Sequence, residues 1–114
     1  MPHSASVRDL PMKITAAVAE GTGTPFALKS VELGAPKADE ILVRVVGVGV
    51  CHTDIVFKEG QMIAPPVVLG HEGSGIVEAV GADVRKVKAG DRVAMTFRSC
   101  GACKRCDAGD AAYC

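Results

Sequence analysis

Four of the five cysteines in this 114-residue chain lie in one short segment at its end. They are Cys100, Cys103, Cys106 and Cys114, with two residues in each of the first two gaps and seven between Cys106 and Cys114. Thiols clustered this closely form either disulfides or a metal site. Two-residue spacing matches the all-thiolate zinc shell, which is usually structural because no coordination position stays open. The sequence therefore predicts a loop lobe held together by one zinc ion.

The composition is typical of a soluble globular domain. Hydrophobic residues make up 48% of the chain, and the 13 basic and 13 acidic residues cancel. This balance argues against nucleic acid or an anionic membrane surface as a partner. No apolar run has the length of a membrane span, and no signal-peptide core is present. We therefore expect a cytoplasmic location, where clustered cysteines are more often metal ligands than disulfides.

Short apolar runs separated by turn residues predict a mainly β fold, most simply a small β-barrel. Strands are predicted at 12–20, 26–33, 40–50, 76–80 and 92–97, and turns at 21–25, 34–39 and 88–91. The strand at 40–50 is almost wholly apolar and is expected to be buried. Its glycines, Gly47 and Gly49, indicate a bulge or a close approach of two backbones.

A change of pattern after Cys51 predicts a short helix. It would be capped by Thr53 or Asp54 and would stop at Gly60. Residues 1–11 are expected to form a loose lead-in, and residues 12–114 one domain.

Cys51, the fifth cysteine, gains significance from His71. A lone cysteine at a strand end is most often a small buried hydrophobe. Together, one thiolate and one imidazole supply two of the three protein ligands of a catalytic zinc, which keeps one position open. Asp54 could accept a hydrogen bond from the far nitrogen of His71, as carboxylates beside zinc ligands commonly do. Spacing alone leaves simple packing and metal binding both open.

Three motifs resemble the zinc-dependent alcohol dehydrogenases of the medium-chain dehydrogenase/reductase superfamily. They are Cys51-His-Thr-Asp54, Gly70-His-Glu-Gly-Ser-Gly75 with the following Ile-Val-Glu-Ala-Val-Gly81, and the four-cysteine lobe. The resemblance extends over roughly residues 12–114. It implies a GroES-like, partly open β-barrel with short helices and a zinc-stapled loop lobe, the N-terminal part of the family's catalytic domain. The stretches around Cys51 and at 65–71 are most similar to the aryl (benzyl-type) branch.

The resemblance implies a role for each residue around a catalytic zinc. Cys51 and His71 match two metal ligands, and Glu72 matches an acidic neighbour that can approach the metal. Thr53 matches the hydroxyl that receives the proton of the alcohol. Asp54 matches the hydrogen-bonding partner of the histidine.

The remaining matches lie outside this group. His52 falls where the family places a basic residue near the cofactor pyrophosphate, and Phe97 where it lines the substrate pocket. Val56 replaces a histidine that continues the proton relay in several members. A relay in this chain would therefore run from Thr53 to the cofactor ribose and water. The four lobe cysteines, Cys100, Cys103, Cys106 and Cys114, match the structural zinc set.

These matches predict oxidation of a primary alcohol, aromatic if the benzyl-type branch applies, to an aldehyde with hydride transfer to NAD(P). The complete enzyme is expected to be a homo-oligomer. The 114 residues alone lack a nucleotide-binding domain and the family's third catalytic ligand, so they are expected to be inactive.

Two other interpretations remain. In one, the chain is a non-catalytic zinc-binding β-barrel module in which Cys51 and His71 are merely packed. In the other, ranked last, the overlapping Cys-x-x-Cys pairs perform thiol-redox chemistry.

Overall fold

Two three-stranded antiparallel sheets form the framework of the computed structural model, which describes residues 11–60 and 62–114. In the first, β1 (Met12–Ala19) lies between β2 (Ala27–Leu33) and β4 (Val67–Val68). In the second, β5 (Gly73–Val80) lies between β3 (Ile41–Val48) and β6 (Arg92–Ala94). Neither sheet closes on itself, which confirms the prediction of a mainly β, partly open GroES-like fold.

The core consists of small and β-branched side chains, as expected for a chain with only 4% aromatic residues. Alternate residues of β1 turn inward, and β3 and β5 complete the buried set. Its apolar members are Ala16, Val18, Ala19, Leu42, Val77 and Ala79. The predicted burial of the strand at 40–50 holds for Leu42 but was wrong for its second half. β3 lies at the edge of its sheet, and Val45, Val46 and Val48 are exposed.

Gly47 and Gly49 mark both of the features that were predicted for them. The register against β5 shifts between Val45 and Gly47, so Val46 is skipped and β3 bulges there. After β3, the N–H of Gly49 donates to the carbonyl of Glu72 at 3.0 Å, and a Cβ on Gly49 would overlap the Glu72 side chain. These contacts bring the end of β3 close to the start of β5.

The short helix after Cys51 is present as α1 (His52–Glu59) and ends at Gly60 as predicted. The predicted cap was wrong. Cys51 is the N-cap residue, with extended backbone angles and no side-chain cap hydrogen bond. Thr53 and Asp54 lie in the first turn, where the Thr53 hydroxyl contacts Cys51 and the Asp54 carboxylate contacts His71. Neither side chain is therefore available as a cap.

Several strand boundaries differ from the predicted ones. β5 begins at Gly73 and not at the predicted residue 76, because the glycines at its start pack closely against neighbouring segments of the chain. A Cβ on Gly75 would meet the backbone of Arg44 in β3. β6 ends at Ala94, short of the predicted residue 97. β4, the helix α2 (Lys104–Asp107) and a 3₁₀ turn at Ala111–Tyr113 were not predicted.

The expected lead-in at 1–11 lies outside the described residues except for Pro11, which is exposed. Among the described helices, none has the length and apolar character needed to cross a membrane.

Candidate metal centres

The first candidate centre brings together residues from two segments of the chain. Cys51 ends the connection from β3 to α1, and His71 and Glu72 lie between β4 and β5. One ligand atom from each of the three lies within 4.8 Å of the others. Thiolate sulfur, imidazole nitrogen and carboxylate oxygen are the donors that zinc takes in proteins, so this donor set fits a zinc ion. We refer to Cys51, His71 and Glu72 as the Cys51 cluster.

The His71 ring is held on both of its nitrogens. Nδ1 lies 3.3 Å from Oδ1 of Asp54, and Nε2 lies 3.5 Å from Oε1 of Glu72. The side chains of His71 and Asp54 are largely buried. Asp54 therefore engages the nitrogen that faces away from the cluster and leaves Nε2 directed toward it.

Hydrogen bonding shifts the pKa values of the two nearest ligands in opposite directions. Sγ of Cys51 lies 3.3 Å from Oγ1 of Thr53. Hydrogen bonds from the hydroxyl and backbone N–H of Thr53, and then from His71, lower the pKa of Cys51. Burial by itself would lower the pKa of His71, but its hydrogen bond with Cys51 and the negative charge of Asp54 raise it overall. The site thus favours a thiolate, the form that binds metals.

An apolar cleft of about 220 Å³ opens beside the cluster. The ring of Phe97 stacks on His71, with centroids 4.1 Å apart and planes inclined by 14°. Besides Phe97 and His71, the cleft is lined by Thr53 and Asp54 and by the apolar side chains of Phe57, Ile63, Val67, Val68 and Leu69. Sequence reasoning missed this apolar wall. Helical spacing could have supplied Phe57, which lies one turn after Thr53 in α1.

The structure brings Cys51, Thr53, Asp54, His71 and Glu72 together and leaves His52 apart from them. His52 is the first residue of α1 and is exposed.

The second candidate centre is the four-cysteine lobe, Cys100, Cys103, Cys106 and Cys114, whose sulfur atoms lie within 4.8 Å of one another. All four are free thiols. Sγ of Cys106 lies 3.9 Å from that of Cys100 and 3.6 Å from that of Cys103. Four sulfurs in a tetrahedron around zinc, each at about 2.3 Å, are roughly 3.8 Å apart. The lobe therefore fits a tetrathiolate zinc ion.

Hydrogen bonds within the lobe orient the sulfur atoms, but no residue of its two helical segments is buried. The N–H of Cys100 donates to Sγ of Cys114 at 3.2 Å. A hydrogen bond from the N–H of Ala102 and others from the neighbouring thiols lower the pKa of Cys100 to about 6. The N–H of Cys100 lowers the pKa of Cys114, but hydrogen bonding among the thiols outweighs it and raises that pKa to about 11. Neither α2 nor the 3₁₀ turn has a buried residue, so metal ligation is the strongest available constraint.

Comparison with known proteins agrees with this geometry. Residues 37–114 match the family model described as the alcohol dehydrogenase GroES-like domain. The chain belongs to this family. It is thereby a member of the medium-chain dehydrogenase/reductase alcohol dehydrogenases, as the sequence motifs predicted.

Several proteins that are similar to this chain are named as alcohol dehydrogenases. The chain is 52% identical over 99 residues to a geraniol dehydrogenase of Castellaniella defragrans, covering 87% of this chain and 26% of the relative. It is 43% identical to the solved benzyl alcohol dehydrogenase from Acinetobacter calcoaceticus, with a TM-score of 0.83 over 90% of this chain and 29% of that one. A structure of CAD from Helicobacter pylori complexed with NADP(H) shares 28% identity at a TM-score of 0.75, covering 90% and 31%. The chain thus spans less than a third of these relatives.

Proposed function

We propose that this chain forms the metal-holding part of a zinc-dependent dehydrogenase that oxidises an apolar primary alcohol to its aldehyde, with NAD(P) as hydride acceptor. The observation that carries the proposal is the Cys51 cluster, which borders an apolar cleft through His71. The activity belongs to a complete protein that includes a nucleotide-binding domain, and the 114 residues alone remain predicted to be inactive.

In this proposal Cys51, His71 and Glu72 hold the catalytic zinc. The sequence led us to expect the third ligand outside this chain, and Glu72 is the third donor that the described residues offer. When bound, zinc lowers the pKa of an alcohol hydroxyl and NAD(P)⁺ accepts the hydride. Asp54 keeps Nδ1 of His71 engaged, so that Nε2 is the nitrogen that faces the metal position.

Thr53 is the residue that moves the proton. Its hydroxyl lines the cleft and lies 3.3 Å from the Cys51 sulfur, so it is next to the position where an alcohol would be held. A hydroxyl both donates and accepts hydrogen bonds, and can therefore pass a proton from substrate to water or to the cofactor ribose. Val56 has no titratable group with which to extend this path.

The cleft supports an apolar substrate, preferably an aromatic one. Its wall of Phe57, Ile63, Leu69 and Phe97 offers few polar partners, and Phe97 presents a ring already stacked on His71. The names of the geraniol and benzyl alcohol dehydrogenases among the relatives agree with such a substrate.

The other assignments remain part of the proposal. His52, exposed at the start of α1, would lie near the cofactor pyrophosphate, and the four-cysteine lobe would hold a structural zinc. A cytoplasmic location and a homo-oligomeric complete enzyme are proposed on the sequence grounds given above. The balanced charge of this chain agrees with a small-molecule substrate. It also agrees with the proposal that neither nucleic acid nor a membrane is a partner.

Replacing Thr53 tests the reaction in the complete protein. Thr53→Val removes the hydroxyl at nearly constant shape, and we expect alcohol-dependent NAD(P)H formation to fall by about 100-fold or more. Thr53→Ser, the matched control, should retain most of it. Equal activity of the two variants would contradict the assigned role.

Zinc content separates this function from the non-catalytic alternative. We expect two zinc ions per chain, and the loss of one on replacing Cys51 with Ser. A single zinc that survives this replacement would support a zinc-stapled module without catalysis.

A further inference from the structure

We propose that Lys58 and Glu59, at the end of α1, are positioning residues for the Cys51 cluster. By fastening the helix to the turn between β1 and β2, they set Cys51, Thr53 and Asp54 against His71. This inference rests on the proposed function, because it takes the cluster to be a metal site. We call the two residues and their contacts in the turn the α1 latch.

The latch contains an unusual charge. Lys58 is the one charged residue that is buried among the described residues, and its side chain is only 6% exposed. A buried ammonium group is costly unless a partner offsets its lost hydration. Its Nζ forms an ion pair with the Glu59 carboxylate and lies 5.7 Å from the ring centroid of Phe26, a cation–π distance.

Glu59 makes the connection to the turn. Its carboxylate accepts a hydrogen bond from the N–H of Gly23 at 2.8 Å, and its carbonyl accepts one from the Thr22 hydroxyl at 3.3 Å. Hydrogen bonds from Lys58 and from the Gly23 N–H lower the pKa of Glu59. The carboxylate therefore links helix and turn in its charged form at neutral pH.

The remaining contacts of α1 constrain its orientation weakly. The helix has eight residues and no side-chain cap, and helices this short are not stable by themselves. Of its apolar residues, Ile55 and Val56 are exposed and only Phe57 is half-buried, so no fully buried apolar stripe holds it in place. The contacts of Glu59 with Thr22 and Gly23, and of Lys58 with Phe26, tie the end of the helix to the β1–β2 turn.

The cluster depends on that orientation. Cys51, Thr53 and Asp54 lie at the start of the helix, whereas His71 lies on a separate segment after β4. A helix of eight residues is about 12 Å long, so a small tilt at Glu59 displaces the first turn. The Asp54–His71 contact, at 3.3 Å, has little tolerance for such a displacement.

Cobalt binding to the 114-residue chain tests the latch without an activity assay. The two centres can be distinguished because thiolate-to-cobalt absorption from the Cys51 cluster disappears in Cys51→Ser, while that from the four-cysteine lobe remains. Glu59→Gln removes the charge that links Lys58 and Gly23. We expect cobalt affinity at the Cys51 cluster to fall about tenfold, and affinity at the lobe to stay unchanged.

A matched control exists in the same hairpin. Glu20→Gln removes the ion pair with Lys29, both partners of which are largely exposed, and no hydrogen bond or ion pair of Glu20 to α1 is described. Its cobalt affinities should equal those of the unmodified chain. Lys58→Met keeps the apolar stem but removes the ammonium group, and should reproduce the selective loss seen in Glu59→Gln.

Different results overturn different steps. Unchanged affinity at the Cys51 cluster in Glu59→Gln and Lys58→Met, or an equal loss at both centres, would overturn the latch alone. An unmodified chain whose cobalt spectrum is not altered by Cys51→Ser would overturn the metal site itself, and with it the proposed function.

Discussion

Oδ1 of Asp54 lies 3.3 Å from Nδ1 of His71, within a largely buried pair. The two residues come from different segments, so this contact joins α1 to the chain that enters β5. A carboxylate at this position fixes which nitrogen carries the ring proton and raises the basicity of the other one. The contact therefore prepares His71 as a ligand through Nε2.

Removing the charge of Asp54 should weaken metal binding at the Cys51 cluster. In Asp54→Asn the amide keeps the shape but stabilises the His71 ring less, and we expect zinc affinity there to fall about 10- to 100-fold. Competition with a chelator measures the affinity. Asp39→Asn, which breaks the exposed pair with Arg98, is the matched control and should change nothing at the cluster. Equal affinities of the two variants would contradict this role.

The stacked ring of Phe97 should act on the substrate more than on the metal. Phe97→Leu removes the aromatic face next to His71, and we expect kcat/KM for an aromatic alcohol to fall about fivefold, the equivalent of roughly 1 kcal/mol. Zinc content should stay the same. Steady-state kinetics of the complete protein measure the effect, with Phe97→Tyr as the variant that keeps the ring. A loss of zinc in Phe97→Leu would instead assign Phe97 to the support of His71.

Metal removal should unfold the four-cysteine lobe and spare the sheets. The helical segments of the lobe bury no residue, whereas the core lies in β1, β3 and β5. Cys106→Ser removes a sulfur that lies 3.9 Å from that of Cys100 and 3.6 Å from that of Cys103, so it should have the same effect as chelation. Amide hydrogen exchange measures this by segment: faster exchange at 100–114 and unchanged exchange in β5. Equal acceleration in both would show that the lobe stabilises the whole fold.

Asp91 should contribute stability that is lost in acid. Hydrogen bonds from the N–H and side chain of Lys88 lower the pKa of Asp91 below its ordinary value of 3.8. A carboxyl group whose pKa is lower in the folded state stabilises the fold at a pH above its unfolded pKa, and this contribution disappears as pH falls through the folded pKa. Asp91→Asn should therefore lower Tm at neutral pH.

The Tm difference between Asp91→Asn and the unmodified chain should close as the pH falls below about 4. Thermal unfolding followed by circular dichroism over this range measures it. Asp83→Asn, in an exposed turn, serves as a control. A difference that persists unchanged in acid would indicate that shape at residue 91, and not charge, matters there.

The sequence pattern predicted the helix and strands that depend mainly on interactions between residues close in sequence. β1, β2 and α1 appear within one or two residues of the predicted bounds, because alternation and the stop at Gly60 depend on near neighbours. β4 has two residues and exists only by pairing with β1, so no local signal marks it. The glycines that open β5 resemble a loop until the backbone of β3 is placed against them.

Some residues of the candidate site could likewise be found from the sequence, and others only from the fold. Motif resemblance pointed to Cys51, His71 and Glu72, whereas their spacing alone had left packing and metal binding both open. It did not identify Lys58, because a lysine near a helix end usually lies in solvent, and the burial of Lys58 depends on segments that are distant in the sequence. Nor did it identify Ile63, which joins the cleft from a loop whose path depends on the whole fold.

A methyl group at Gly49 should disturb the Cys51 cluster without altering any of its residues. A Cβ at this position would overlap the carboxylate of Glu72, whereas a Cβ on Gly47 would meet only the Ser74 hydroxyl at an ordinary 3.6 Å. Because the Glu72 side chain can rotate, Gly49→Ala should fold but hold that carboxylate away from Cys51 and His71. We expect zinc affinity at the cluster to fall about tenfold in Gly49→Ala and to stay unchanged in Gly47→Ala. Glu72→Gln should give a similar loss, and adding Gly49→Ala to it should then cost little more. Full additivity of the two changes would contradict the idea that Gly49 acts through Glu72.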